Sequence, residues 1–167
     1  MKSLLRTSLL LPLALTWAIP TPQATAADHL EITCSLLSAS GDPPMIVLWV
    51  EKTDGTFLHT ISMLSKDHKY YKDILKWWAA REGKESKEDL DASIGATIKW
   101  GQERTLNVPL PFAGADILDG NYVIRIEQRK DKGGHYSKDR IPLTAGFTTA
   151  EKDKVGYIKH ISVTLKH

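Results

Sequence analysis

A chain of 167 residues, 42% hydrophobic and 25% charged, is long enough for one domain with a buried core. Its formal net charge of +2 is too small for the positive face that phosphate backbones require, which argues against nucleic acid as a partner. A single cysteine excludes an internal disulfide.

Residues 1–26 read as a signal peptide. Lys2 and Arg6 form a positive n-region, and the apolar run over 9–19 is too short to span a bilayer. Ala24-Thr25-Ala26 matches a small-x-small cleavage site, and Pro12 and Pro20 argue against an uncleaved helical anchor. Cleavage after Ala26 leaves 27–167 as an exported periplasmic domain that is not embedded in the membrane. It also lowers Lys+Arg from 22 to 20, against 20 Asp+Glu, so the mature chain is near neutral.

Leu30, Ile32, Cys34 and Leu36 alternate with polar residues, which predicts a strand over about 29–39 with Cys34 buried and inert. Gly41-Asp42-Pro43-Pro44 is a turn. The β-branched and aromatic content of 45–52 predicts a second strand. Asp54-Gly55 then turns the chain into a third over 56–63, with Phe57, His59, Ile61 and Met63 on one face.

At Tyr70 the period changes. Tyr71, Ile74, Leu75 and Trp78 recur at helical spacing, Tyr70, Ile74 and Trp77 continue the stripe, and Gly83 closes one short helix. The run 84–89 reads as a charged loop. Residues 98–108 predict a strand broken by Pro109 and Pro111. Asp119-Gly120-Asn121 turns into 122–127, where Tyr122, Ile124 and Ile126 share a face. Lys132-Gly133-Gly134 turns into 135–143, and 155–165 places Ile161, Val163 and Leu165 on one face. About seven strands with one short helical insertion predict an all-β fold, an antiparallel β-sandwich of immunoglobulin-like type, with a closed barrel as the alternative.

Few residues are placed for chemistry. Gly-x-Ser-x-Gly, His-Glu-x-x-His and phosphate-binding glycine loops are missing from the sequence. The carboxylates sit mostly beside lysines, as on solvated faces. Histidines with Met45 and Met63 invite a copper reading. However, Cys34 lies at the start of the fold, and His59 and Met63 on one strand are roughly 13 Å apart. No metal ligands are assigned. Trp77 and Trp78 point about 100° apart on a helix. One packs in the core, and the other can stack on an isoalloxazine ring or a partner; alternatively both dock the helix on the sheet.

The segment Asp91-Ala92-Ser93-Ile94-Gly95-Ala96-Thr97 carries the sharpest signal. Gly95 and Ala96 place almost no side chain beside the Thr97 hydroxyl, so a bulky group can approach it. With Asp91 six positions upstream, it resembles the acceptor motif on which a flavin transferase esterifies FMN to threonine. That pattern carries Ser or Thr where this chain has Ile94. The same residues also fit a turn, with Gly95 at positive φ.

Other stretches are similar to a family of exported bacterial proteins. They are Ile46-Val47-Leu48-Trp49-Val50-Glu51, Tyr70-Tyr71-Lys72-Asp73-Ile74-Leu75-Lys76-Trp77-Trp78, Asp119-Gly120-Asn121-Tyr122 and Gly133-Gly134-His135. Together with 91–97 they resemble the domain of unknown function 2271 family. The resemblance implies a periplasmic redox carrier bearing covalent FMN rather than a stand-alone enzyme. Its implied partners are a flavin transferase and a PepSY-like membrane redox protein. The expected cofactor-binding residues are Thr97, Asp91, Gly95, Ala96, Trp77 and Trp78. The alternative is a cofactor-free immunoglobulin-like binding or structural module.

Overall fold

The computed structural model describes residues 28–65 and 68–167. The expected signal peptide lies outside the described residues. Among the described residues there are eight strands: β1 (His29–Leu36), β2 (Met45–Lys52), β3 (Phe57–Met63), β4 (Glu103–Pro109), β5 (Tyr122–Arg129), β6 (His135–Leu143), β7 (Thr149–Val155) and β8 (Ile158–Lys166). They form two antiparallel four-stranded sheets, ordered β4-β1-β8-β7 and β3-β2-β5-β6. This is the expected sandwich. In an immunoglobulin constant domain the first two strands share a sheet. Here β1 and β2 lie in different sheets, so the strand order is not the immunoglobulin one.

The main core sits between the sheets. Leu30, Ile32, Cys34 and Leu36 of β1 meet Ile46, Leu48 and Val50 of β2 and Tyr122, Ile124 and Ile126 of β5. Each fully buried aliphatic side chain contributes roughly 1.5–3 kcal/mol. Burial, with Glu103 adding to it, pushes the Cys34 thiol up to about 12. Almost no thiolate then forms in the native state. Iodoacetamide at about pH 8 should therefore leave native Cys34 unlabelled while labelling the denatured chain fully. Rapid native labelling would place the thiol at the surface.

β2 is buried on both sides. Val47 and Trp49 turn away from the main core into a second cluster with Met63, Tyr71, Ile74 and Trp77. That explains its continuous apolar run, as in strands covered on two faces. β3 departs from simple alternation. Its register against β2 shifts twice, opposite Leu48/Trp49 and opposite Val50/Glu51. Each bulge adds a residue and changes which face follows. Leu58 and Ile61 consequently pack against the main core, while Phe57 and Met63 join the second cluster. The single face expected for Phe57, His59, Ile61 and Met63 is not formed.

Two strands differ from the pattern. β4 starts at Glu103 rather than near Ile98, because Gly101 at φ 70 turns the chain and donates its N–H to the Leu37 carbonyl. Ile98 is still buried in the main core. β7, Thr-Ala-Glu-Lys-Asp-Lys-Val, has no apolar alternation to announce it. It is an edge strand, and charges there discourage pairing with other chains.

The helical insertion is a 3-10 helix (His68–Asp73) followed by α1 (Leu75–Arg81) and α2 (Lys87–Ala92). Tyr71, Ile74 and Trp77 are buried, whereas Tyr70, Leu75 and Trp78 are exposed. The segment begins with three residues per turn, so positions i, i+3 and i+6 align. The stripe through Leu75 and Trp78 faces solvent. α2 occupies much of the expected charged loop. The Ser86 hydroxyl accepts from the Asp89 N–H at 3.1 Å, and the Asp89 carboxylate accepts from the Ser86 N–H at 3.2 Å. This is a capping box with Asp in place of Glu or Gln. Hydrogen bonds from the Ser86 hydroxyl and then its N–H hold the Asp89 carboxyl below its ordinary value.

Candidate functional site

The outer face of the β3-β2-β5-β6 sheet holds the helical insertion through buried carboxylates. α1 has no side-chain cap of its own. Glu127 of β5, fully buried, supplies one instead: it accepts from the N–H groups of Lys76 at 3.0 Å and Trp77 at 2.7 Å. Those N–H groups would otherwise be unpaired at the helix start. His135 Nε2 lies 2.5 Å from the same carboxylate. The Trp77 indole N–H donates to Thr60 Oγ1 at 2.9 Å, and the Thr60 hydroxyl donates to Glu85 at 2.7 Å. His59 and Arg81 also pair with Glu85, whose side chain is buried. Glu85 and Glu127 therefore correct the solvated reading of the carboxylates. Each is buried because hydrogen bonds offset its loss of water.

Beside the insertion opens a cleft of about 530 Å³ lined by Asp42, Pro43, Met45, Ser65, Tyr70, Asp73, Thr97, Arg129 and Asp131. That volume is in the range of small-molecule sites. Met45 and Arg129 are paired across β2 and β5. Tyr70 and Asp73, three apart in the 3-10 helix, share a side. Lys69 Nζ lies 4.6 Å from the Tyr70 ring centre. Three aspartates against one arginine leave the lining formally negative.

Thr97 follows a segment pinned to β3. The Met63 N–H donates to the Ser93 carbonyl and the Gly95 N–H to the Met63 carbonyl, both at 2.9 Å. A Cβ at Gly95 would meet Ser62 Oγ at 3.0 Å and the Leu64 side chain at 3.1 Å. Close approach to β3 therefore demands glycine; positive φ does not, since Gly95 is not among the positive-φ glycines. The turn reading of Gly95 is corrected accordingly. Ile94 packs against the second cluster. That burial explains an apolar residue where the acceptor pattern has a hydroxyl.

The six expected site residues are not brought together. Thr97 lines the cleft; Asp91, Trp77 and Trp78 do not. Asp91 and Ala96 are exposed. Trp77 is wholly buried with its N–H engaged, so it has no face left for a stacked ligand. Trp78 is 38% exposed, its ring 6.1 Å from that of Trp77 and 5.1 Å from the Arg81 guanidinium. Tyr70, 40% exposed, is the aromatic residue on the cleft, which the sequence shows only as part of a helical stripe. Arg129 and the three aspartates belong to no motif.

A family model described as "Predicted periplasmic protein (DUF2271)" matches residues 29–159, which include β1 to β7 and the helical insertion. No curated protein and no solved structure matches the chain.

Proposed function

The chain belongs to this DUF2271 family of predicted periplasmic proteins, and from that premise we propose that it is an exported electron carrier holding FMN covalently on Thr97. The family description agrees with the export signal read over 1–26. No helix among the described residues is long and apolar enough to cross a membrane. The observation that carries the proposal is that Thr97, half-buried, lines a cleft of ligand size next to the exposed, small Ala96.

The lining suits the group in part. Tyr70 offers an aromatic face, Pro43 and Met45 offer apolar walls, and Arg129 offers a cation for the phosphate. Attachment is a phosphoryl transfer. The Thr97 hydroxyl would be the acceptor for the flavin-side phosphate of FAD, giving up its proton to a base of the flavin transferase while AMP would leave as the diphosphate bond breaks. When bound, FMN supplies reversible electron exchange with a PepSY-like membrane redox protein. Thr97 would anchor the group, Tyr70 would orient it and Arg129 would neutralise its phosphate.

Co-expression with a periplasmic flavin transferase should give a yellow protein whose fluorescence survives denaturing electrophoresis. Thr97→Ala should abolish the band, and Thr97→Ser should keep part of it because the hydroxyl remains. A fluorescent Thr97→Ala band of wild-type intensity would refute the proposal. The excess of aspartates favours a second reading, a cofactor-free binding module whose cleft takes a cationic ligand. That reading requires wild-type protein to stay colourless beside an active transferase, and Asp73→Asn to weaken ligand binding.

A further inference from the structure

We propose that the free edge of β4 is a docking site for an extended, uncharged segment of a partner polypeptide, which would join the β4-β1-β8-β7 sheet as a further strand. The main chain shows which groups are open. The Leu36 N–H donates to the Gln102 carbonyl and the Leu110 N–H to the Asp28 carbonyl, each at 3.0 Å. Successive residues of an antiparallel pair alternate in the direction of their main-chain groups. In the unshifted register of β4 against β1, Arg104, Leu106 and Val108 therefore bond β1. The N–H and C=O groups of Glu103, Thr105 and Asn107 point the other way, where no strand of the described residues lies. Such a row is a template for another strand.

The other sheet edges are blunted. On β3 the Thr60 N–H donates to Glu85, and the Thr60 carbonyl accepts from the Ser93 hydroxyl at 3.3 Å. The Met63 N–H and carbonyl are both taken by 93–95. β6 carries Lys138, Asp139 and Arg140 in a row and Pro142, which has no N–H to offer. In β7 the successive residues from Glu151 to Lys154 are all charged. β4 has Glu103, Arg104 and Pro109 at its ends, but Thr105-Leu106-Asn107-Val108 between them carries no charge.

Beside that bare stretch lies a gap of about 240 Å³ between β4 and 92–95, with Ile61, Ile94, Leu106, Val108 and Phe112 in its walls. The gap is smaller than small-molecule sites usually are, and it suits the side chains on one face of a strand. None of the described residues lining it is charged. A charged side chain placed there would lose its water without gaining a partner, so the gap selects uncharged ones. Ile94 is bridged to Met63, so 93–95 extends beyond β3 on its side of the gap. The place next to β4 thus admits one extended segment, whereas a second copy of the chain would have to fit two sheets there. Main-chain hydrogen bonds give affinity in such docking, and pockets for alternate side chains give specificity. Docking at β4 does not depend on what fills the Thr97 cleft.

The test is amide hydrogen exchange, read by NMR, on protein purified from the periplasm of expressing cells. The probe is the peptide acetyl-Lys-Thr-Val-Thr-Val-Thr-Lys-amide, whose valines alternate toward the gap and whose lysines keep it soluble. In the protein alone, the Thr105 and Asn107 amides should exchange faster than those of Leu106 and Val108. With the peptide at ten times its Kd, the Glu103, Thr105 and Asn107 amides should slow by about tenfold. The same peptide N-methylated on its threonines cannot donate to β4 and should bind at least about tenfold more weakly. Thr105→Pro should weaken binding by at least about tenfold too, because it removes an edge donor but no bond to β1. Circular dichroism and thermal melting verify that the variant is folded, and the methylated peptide keeps the test valid if it is not. Slow exchange at Thr105 and Asn107 without peptide, no added protection with it, or equal binding of the methylated peptide would overturn the inference. So would a dimer in sedimentation equilibrium that Thr105→Pro dissolves, which would give the edge to a second copy. The assay contains neither flavin nor transferase, so these outcomes are separate from those of the Thr97 labelling test.

Discussion

Replacing Trp77 by alanine should lower the stability of the fold by about 3–5 kcal/mol. The ring is wholly buried in the second cluster and packs edge-on against Tyr71, with centroids 5.9 Å apart. Its indole N–H is the donor to Thr60, which in turn bonds Glu85. Removing the ring leaves a cavity beneath α1 and deprives Thr60 of that donor. The neighbouring Trp78→Ala should cost under roughly 1 kcal/mol, since that ring is partly in solvent and touches the Arg81 side. Denaturant titrations of both variants check the contrast. Equal losses, or a small loss at Trp77, would mean that the insertion is not packed as a part of the core.

Glu127→Ala should have an effect of similar size, about 3–5 kcal/mol, because it takes the acceptor from three groups at once. Two helix N–H groups and His135 lose their acceptor together. Each buried donor left unpaired costs about 1–3 kcal/mol. Glu127→Gln keeps one acceptor oxygen and should lose less. Hydrogen exchange at the amides of Lys76 and Trp77 reads the local effect. These amides should exchange faster in Glu127→Ala, while β1 amides in the other sheet change only as global stability does. Unchanged protection at Lys76 and Trp77 would show that Glu127 does not cap α1.

Some of this architecture is visible in the chain because burial is one-sided. β1 has one wet and one dry face, so Leu30, Ile32, Cys34 and Leu36 announce themselves by alternation. β5 is legible through Tyr122, Ile124 and Ile126 on its inner face, although Val123 and Glu127 on its outer face are buried as well. Periodicity fails where the structure breaks the period. Two bulges in β3 separate Ile61 from Phe57 and Met63. The 3-10 helix shifts the buried stripe onto Tyr71, Ile74 and Trp77. β7 is an edge strand with no apolar face to read.

The candidate site is less legible still. Small residues beside Thr97 single that threonine out, and the structure adds a reason for Gly95 in its contact with β3. The rest of the cleft comes from the turn before β2, the 3-10 helix, the end of β5 and the β5–β6 turn. Residues from separated turns share no spacing, so Tyr70 and Arg129 could not be joined to Thr97 by pattern. The buried glutamates were hidden for a related reason. Glu85 stands in a charged run, and its burial depends on Thr60, His59 and Arg81, which reach it only in the folded chain.

The most direct measurement is mass spectrometry of the protein made with an active flavin transferase and then digested to peptides. The intact chain should gain the mass of one FMN less one water. Peptide fragmentation should place that addition on Thr97, with Thr97→Ala unmodified under the same conditions. An unmodified wild-type chain beside a transferase that labels a known acceptor, or an addition located on another residue, would contradict the assignment of Thr97 as the flavin anchor.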